Sequence, residues 1–337
     1  MPPRSSAVRD DLPVVTALFV ASALAVGVLG WRRTPLPAAP CTNARAIVIG
    51  DVHGCARELR TLLRRLHLRP GCDLLYFVGD IIGKGPESIE ALREVRALML
   101  STLEVEAVMG NHEAGFIRWQ DARARGASQP TGHETAFRQW ATTLASDELL
   151  WLRERPLTAA LPAKFGHVTV VHAGMLSNGQ AQRREDLLTL RSILPNGTGS
   201  ALPGDKHSAW AVRWRGPQHL VFGHDARRRL QRRAHATGID TGVVYGGKLT
   251  ALILDVLPNA TEEVAAAAAA TPLAGGRLLS VSAIPHSCKG ALSPSPPSAP
   301  PPSSGGGSTA ARVTPRKGKA ATGGRRRRKR RHSHADS

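Results

Sequence analysis

At 337 residues and 42% hydrophobic content the chain is long enough to bury a sizeable core, as one large domain or two small ones. Its formal net charge of +19 is unevenly placed: Arg312, Arg316, Lys317, Lys319 and the run Arg325 to Arg331 carry eleven of the positive charges, and Asp336 is the one acid after Glu263. The basic excess is a tail property and excludes nothing about the rest, whereas four cysteines at positions 41, 55, 72 and 288, without CxxC pairing or zinc-type spacing, argue against a thiolate zinc site and against a disulfide scaffold.

In chain order, residues 1–11 flank an almost unbroken apolar run from Leu12 to Trp31, with Arg4 and Arg9 before it and Arg32 and Arg33 after it. The run is just long enough to span a bilayer, so residues 12–33 are expected to form an apolar helix that anchors the protein in a membrane. Ala21-Ser22-Ala23 and Ala25-Val26-Gly27 offer signal-peptide cleavage sites as the competing reading, and arginines on both sides leave the orientation open. Pro35, Pro37 and Pro40 mark residues 34–44 as a short semi-rigid linker.

The folded domain is expected over residues 45–257. Its first strand is Ile47-Val48-Ile49, which ends in Gly50-Asp51-Val52-His53-Gly54. Apolar runs that meet glycine and ligand-type residues recur at Leu74 to Asp80, at Val105 to Glu113 through Gly110-Asn111-His112, at Val168 to Gly174 through His172, and at Leu220 to Asp225 through Gly223-His224. One such end is an ordinary turn, because Gly and Asp favour turns; five of them bring Asp, His and Asn side chains to one place. Leu59, Leu62, Leu63 and Leu66 predict an amphipathic helix, and Pro86 opens a second one with Ile89, Leu92, Val95 and Leu98 as its stripe. Strand, helix, strand, helix, strand implies right-handed crossovers and a largely parallel sheet with its loops at the carboxyl edge.

Gly115 to Pro156 reads as helical, with Trp119, Phe137, Trp140 and Trp151 as core anchors, and Cys55 as a small buried thiol. Gly242, Gly246 and Gly247 mark a tight turn before a last strand at Leu249 to Val256. Residues 258–337 are expected to be a disordered, low-complexity tail, Pro/Ser/Gly-rich from Pro294 to Gly307 and basic at its end.

The blocks GDxHG, GDxxxxG, GNHE, HAG and GH, in this order from about Arg45 to about Val256, resemble the calcineurin-like metallophosphoesterase superfamily. Most similar is the branch shared by Ser/Thr phosphoprotein phosphatases and symmetrical bis(5'-nucleosyl)-tetraphosphatases. The resemblance implies an α/β (α+β) fold, a two-sheet β-sandwich flanked by helices. It also implies two divalent metals, with Asp51 and His53 on the first, Asn111, His172 and His224 on the second, and Asp80 bridging both. His112 would give a proton to the leaving-group oxygen. Phosphate-ester hydrolysis needs a nucleophilic hydroxide at neutral pH and neutralised phosphoryl charge, and two metals about 3.5–4 Å apart meet both needs. Oxygen and imidazole donors suit Mn, Fe, Zn or Co, and spacing does not choose among them.

Phosphoprotein phosphatases read GDxxDRG in the second block, where this chain has Gly79-Asp80-Ile81-Ile82-Gly83-Lys84-Gly85. Gly83 removes the acid that pairs with the general-acid histidine in that family, and Lys84 replaces a guanidinium by a point charge that still binds phosphate. Gly83 to Ser88 (GKGPES) and Gly238 to Thr250 (GIDTGVVYGGKLT) resemble the bis(5'-nucleosyl)-tetraphosphatase-like (ApaH-like) branch. Gly83 is expected to open space for a polyphosphate, Lys84 and Arg215 to bind phosphate, and Arg227, Arg228 and Arg229 read equally as a phosphate-binding rim or a solvated run.

The expected function is therefore hydrolysis of phosphoric esters or anhydrides, on a dinucleoside polyphosphate or a cap-like nucleoside polyphosphate. Its rivals are a Ser/Thr phosphoprotein phosphatase and a membrane-tethered pseudoenzyme scaffold. Residues 312–331 are expected to bind nucleic acid or anionic lipid, or to serve as a nuclear targeting run. Membrane association is expected, with secreted or luminal, cytoplasmic and nuclear placements as alternatives; Asn196-Gly197-Thr198 and Asn259-Ala260-Thr261 are glycosylation acceptors that report on it.

Overall fold

The computed structural model describes Cys41 and residues 43–126, 140–177, 182–205, 207–257 and 276–285. The chain divides into Met1–Leu292 and Ser293–Ser337, and the second unit lies outside the described residues. So do the expected membrane segment 12–33, most of the linker, Phe137, Asn259 and the basic run 312–331.

The described chain opens as β1 (Arg45–Ile49), α1 (Ala56–Leu66), β2 (Asp73–Phe77), α2 (Ser88–Met99), β3 (Glu104–Ala107), α3 (Asn111–Ala124) and α4 (Ser146–Arg153). It continues through β4 (Thr158–Ala160), β5 (Val168–Val171), α5 (Arg184–Thr189), β6 (Ser192–Ile193), β7 (Gly199–Ser200), α6 (Trp210–Arg213) and β8 (His219–Phe222). The last strands are β9 (Gln231–Arg232), β10 (Ala236–Gly238), β11 (Lys248–Asp255) and β12 (Arg277–Ser282). One sheet has the order β12-β11-β1-β2-β3 and the other β4-β5-β8-β10-β9. β1, β2 and β3 are mutually parallel, as are β5, β8 and β10, whereas β11 pairs antiparallel with β1, β12 with β11, β4 with β5 and β9 with β10.

Side-chain alternation explains the layering. Ile47, Ile49, Leu75 and Phe77 meet Leu59 and Leu62 of α1 and Leu92 and Val95 of α2. Their neighbours Ala46, Val48 and Tyr76 point the other way, onto Val168 and Val170 of β5 and Val221 of β8. Val171, Leu220 and Phe222 face a third cluster with Trp210 and Trp214. β1, β2 and β8 are therefore covered on both sides, which is why their sequences are nearly continuous apolar runs rather than alternating ones. Trp119 and Trp140 flank Phe116, with ring centroids 5.8 and 4.7 Å from it, as core anchors.

The folded domain does not stop at residue 257. β12 pairs with β11 from Arg277–Ile253 to Ser282–Lys248, and its Val281 joins the helix-side core. Six residues in an Ala- and Pro-rich context carry too little pattern to be read locally, and part of the expected tail is thus sheet. The cysteine expectation also fails. Cys41 and Cys72 form a disulfide, with Cα atoms 5.4 Å apart, and Cys55 is disulfide-bonded as well, so no free cysteine exists among the described residues. Cys41 and Cys72 are 31 positions apart, and only the pairing of β1 with β2 brings them together.

Candidate metal centre and adjoining cavity

β1, β2, β3, β5 and β8 end at the same edge of their sheets, so the residues that follow them collect there. Asp51, His53, Asp80, His112, His172 and His224 are all buried. His53, Asp80 and His224 have φ of +48°, +50° and +66°, in the left-handed region that residues with a Cβ avoid. Such strain persists where the surrounding fold over-determines it, and here it falls on three ligand-type residues at once. Glycine precedes the ligands because backbone must come close: a Cβ on Gly223 would overlap Oδ1 of Asp51.

Each of three imidazoles has one ring nitrogen beside a backbone carbonyl and the other turned inward. Nδ1 of His172 lies 2.8 Å from the Val78 oxygen, Nε2 of His224 3.2 Å from that of Thr189, and Nδ1 of His53 3.4 Å from that of Ile82. A carbonyl can only accept, so these contacts place N–H on the outer nitrogens and leave the inner ones as lone-pair donors.

Inward, His172 Nε2 and His224 Nδ1 lie 3.0 and 2.9 Å from Oδ1 of Asn111, and His172 Nε2 is 3.4 Å from Asp80 Oδ1. On the other side His53 Nε2 is 3.4 Å from Asp80 Oδ2 and 3.9 Å from Asp51 Oδ2. Ligand atoms of Asp80, His172 and His224 fall within 4.8 Å of one another, and so do those of His53, Asp80 and His112. Electron pairs facing one another at these distances could hold a cation between them, and the mixed oxygen and imidazole donors suit a borderline divalent ion. Asp80 is the member common to both groups.

Burial holds His53, His172 and His224 below the ordinary histidine range, which keeps them neutral and able to coordinate. Asp51 is pushed well above the ordinary carboxylate range by burial and by Asp240 and Asp80 beside it. Asp240, also buried, is raised by the same desolvation and is an acid that no local pattern marks, since it stands in an Asp-Thr-Gly turn. Glu113, buried in the third block, is a second such acid. Its carboxylate accepts the N–H groups of Asp80 (2.8 Å), Ile82 (3.0 Å) and Gly110 (2.9 Å), which ties the second and third ligand loops together.

His112 donates its backbone N–H to Asp80 Oδ1 (2.9 Å), and its ring stands edge-on to His53 with centroids 4.7 Å apart. The space expected at Gly83 is not open. A Cβ there would overlap Nδ1 of His112, so the missing side chain makes room for the imidazole itself. Lys84 places Nζ 2.7 Å from His53 Nε2, and its charge offsets part of the rise that burial imposes on Asp51 and Asp240.

A cavity of about 610 Å³ opens beside His224 and is lined by Lys84, Arg191, Arg227, Arg229, Asp240 and Tyr245. Arg215 is not brought to it. Its guanidinium donates to the Val212 carbonyl (2.8 Å) and faces solvent after the end of α6, outside the residues that line the cavity. The arginine triplet is split: Arg227 and Arg229 reach the cavity, whereas Arg228 turns back to Asp225, Ser192 (3.1 Å) and the carbonyls of Pro203 and Asp205. Arg191 belongs to no motif, and Tyr245 lies within the Gly238 to Thr250 segment, where nothing local marks it as a cavity residue.

The calcineurin-like phosphoesterase family model matches residues 44–235. Serine/threonine-protein phosphatase 1 of Salmonella typhimurium is 34% identical over 214 residues, covering 60% of this chain and 88% of that protein. A symmetrical bis(5'-nucleosyl)-tetraphosphatase of Methylococcus capsulatus is 34% identical over 191 residues, 54% of this chain and 64% of its own length. An asymmetrical bis(5'-nucleosyl)-tetraphosphatase, PrpE, of Bacillus thuringiensis is 28% identical over 228 residues, 61% and 88%. Among solved structures, a candidate diadenosine tetraphosphatase superposes with a TM-score of 0.55 at 29% identity, covering 73% of this chain and 96% of the other. A neutral-imidazole and carboxylate cluster at the carboxyl edge of two helix-flanked sheets, matched by the family model over more than half of the sequence, makes the protein a hydrolase of the calcineurin-like phosphoesterase family.

Proposed function

We propose that the protein hydrolyses the phosphoanhydride chain of a dinucleoside polyphosphate or of a cap-like nucleoside polyphosphate. The observation that carries this reading is the cavity beside His224, where Lys84, Arg191, Arg227 and Arg229 together offer more positive charge than one phosphomonoester needs. The tetraphosphatase names among the relatives agree with it.

In this reading Asp51, His53 and Asp80 hold one divalent ion, and Asp80, Asn111, His172 and His224 a second. When bound, such a pair neutralises phosphoryl charge and activates water. The chain's own groups do the rest. Val78, Thr189 and Ile82 fix the tautomers of the three histidines, and Glu113 holds the Asp80 and Asn111 loops in register. His112, packed between Gly83 and His53, is the group that would pass a proton to the leaving oxygen. An anhydride leaving group is less basic than an alkoxide and asks less of that proton. The rim cations hold the phosphates that do not react.

The Salmonella relative is the observation that favours the alternative, a Ser/Thr phosphoprotein phosphatase. Full-length protein loaded with Mn or Co, its metal content measured, should give a kcat/KM for diadenosine tetraphosphate or a cap dinucleotide well above that for a phosphothreonine peptide. A ratio below one assigns the protein to the phosphoprotein class.

Placement belongs to the same proposal. Bonded Cys41, Cys72 and Cys55 support an oxidising compartment for the catalytic domain, with residues 12–33 as the anchor or cleaved signal that delivers it. Asn196, exposed in its sequon, should then carry glycan, and the thiols should react with an alkylating agent only after reduction. Ready alkylation without reductant would return the domain to the cytosol. For residues 312–331 the reading is a polyanion-binding arm: deleting them should flatten the salt dependence of RNA or anionic-vesicle binding, and unchanged affinity would refute it.

A further inference from the structure

We infer that Tyr245 is a stacking platform for the nucleobase of the substrate and that Arg229 beside it holds the adjoining phosphate. This subsite rests on the nucleoside-polyphosphate reading above.

Tyr245 is 54% exposed, whereas the preceding Val243 and Val244 are 1% and 6% exposed in the helix-side core. Two consecutive anchors and one projecting ring are what a single tight turn can build. Gly242 and Gly246, at φ of +74° and +83°, bracket that turn in the left-handed region, and its backbone is closed by Tyr245 N–H to Gly242 (3.0 Å), Gly246 N–H to Val243 (3.0 Å) and Gly247 N–H to Gly242 (2.9 Å). Below it Asp240 accepts the Gly242 N–H at 3.0 Å. The ring is thus held out over the cavity by a rigid frame, and ordering it on ligand binding costs little conformational entropy.

Two cations fix what the ring looks onto. Lys84 Nζ stands 5.5 Å from the ring centroid and 2.7 Å from His53 Nε2, so one ammonium spans the gap between the ring and the ligand cluster. Arg229 Nη1 donates to the Thr241 carbonyl (3.1 Å) in a slot that Gly247 leaves open, since a Cβ there would come within 2.6 Å of that nitrogen. A held guanidinium, an ammonium between ring and ligand cluster, and an exposed aromatic side chain lining one cavity match a ligand with phosphates at one end and a flat ring at the other. A phosphoserine or phosphothreonine segment has no planar group at that place.

The test compares ligands with and without a base. Full-length wild type, Tyr245→Ala and Tyr245→Phe are titrated calorimetrically with a methylene-bridged, non-hydrolysable diadenosine tetraphosphate and with inorganic tripolyphosphate. Tyr245→Ala should weaken the nucleotide by about ten-fold or more, the scale of one base–aromatic stack, while Tyr245→Phe stays near wild type. Tripolyphosphate affinity should be the same for all three proteins. Equal loss on both ligands would make Tyr245 a support for Lys84, and no loss on the nucleotide would leave the ring without a role; either result overturns the inference. Turnover is scored separately: wild type that binds the analogue in this pattern but does not cleave diadenosine tetraphosphate would break the proposed reaction and leave the subsite standing.

Discussion

In the ligand cluster His172, His224 and His53 are each turned by a backbone carbonyl, and the carboxylates beside them are buried. At the rim, a side chain away, Arg227, Arg229 and Tyr245 are exposed and sit on turns. The cluster is delivered by strand ends whose positions three hydrophobic clusters fix, so a change there alters the reaction itself. The rim is delivered by exposed loop side chains that can vary without disturbing the cores beneath them, so a change there alters which phosphate compound is accepted. Relatives named for protein and for dinucleotide substrates can therefore share one cluster and differ beside it.

Breaking the cluster should have the largest effect. Asp80→Asn keeps shape and tolerates the left-handed backbone at φ +50°, but removes the one charge that faces both His53 and His172. Turnover should fall by about three orders of magnitude or more, with metal content lost in elemental analysis. Full metal with near-normal turnover would mean that Asp80 does not join the two sides.

Next comes the boundary between the regions, at Gly83. A side chain there meets the His112 ring and must adopt φ +111°. Gly83→Asp, which restores the phosphoprotein-phosphatase residue, should lower kcat by about 10²-fold on ester and anhydride alike, the scale of a displaced general acid. Selective loss on the anhydride alone would show instead that Gly83 makes room for substrate.

The rim should respond more gently and more selectively. Arg227→Ala and Arg229→Ala should each raise KM for a dinucleoside tetraphosphate by about ten-fold, less at high salt, with little change on p-nitrophenyl phosphate. Arg215→Ala should change neither substrate, because its guanidinium is spent on Val212. A KM effect of Arg215→Ala equal to that of Arg229→Ala would erase the distinction drawn between them.

The smallest effect lies in the scaffold beneath both regions. His219 is buried against Thr237 (2.9 Å), and desolvation with some help from His235 lowers it to about 4. The folded state then binds fewer protons than the unfolded one between about pH 4 and 6.5, so its contribution is complete above 6.5 and is lost as pH falls through that window. Urea midpoints measured across this range should decline on acidification, and His219→Gln should flatten the decline. Parallel curves for the two proteins would place the acid sensitivity elsewhere.

The sequence by itself determined the five strand-and-ligand blocks, the first two crossover helices and the core role of Trp119 and Trp140. It could do so because a buried strand, a glycine turn and an amphipathic helix are written over a few consecutive residues, and six ligand-type side chains follow at fixed offsets. The tertiary structure alone decided the rest. β12 pairs only once β11 is in place, and Cys41 finds Cys72 only through the β1–β2 pairing. Gly83 proves to be filled by His112, Arg228 leaves the triplet, and Arg215 turns away from the site. Asp240 and Tyr245 sit on a turn that the sequence located but could not aim. In each case the deciding contact joins residues far apart in the chain, and such contacts leave no local periodicity to read.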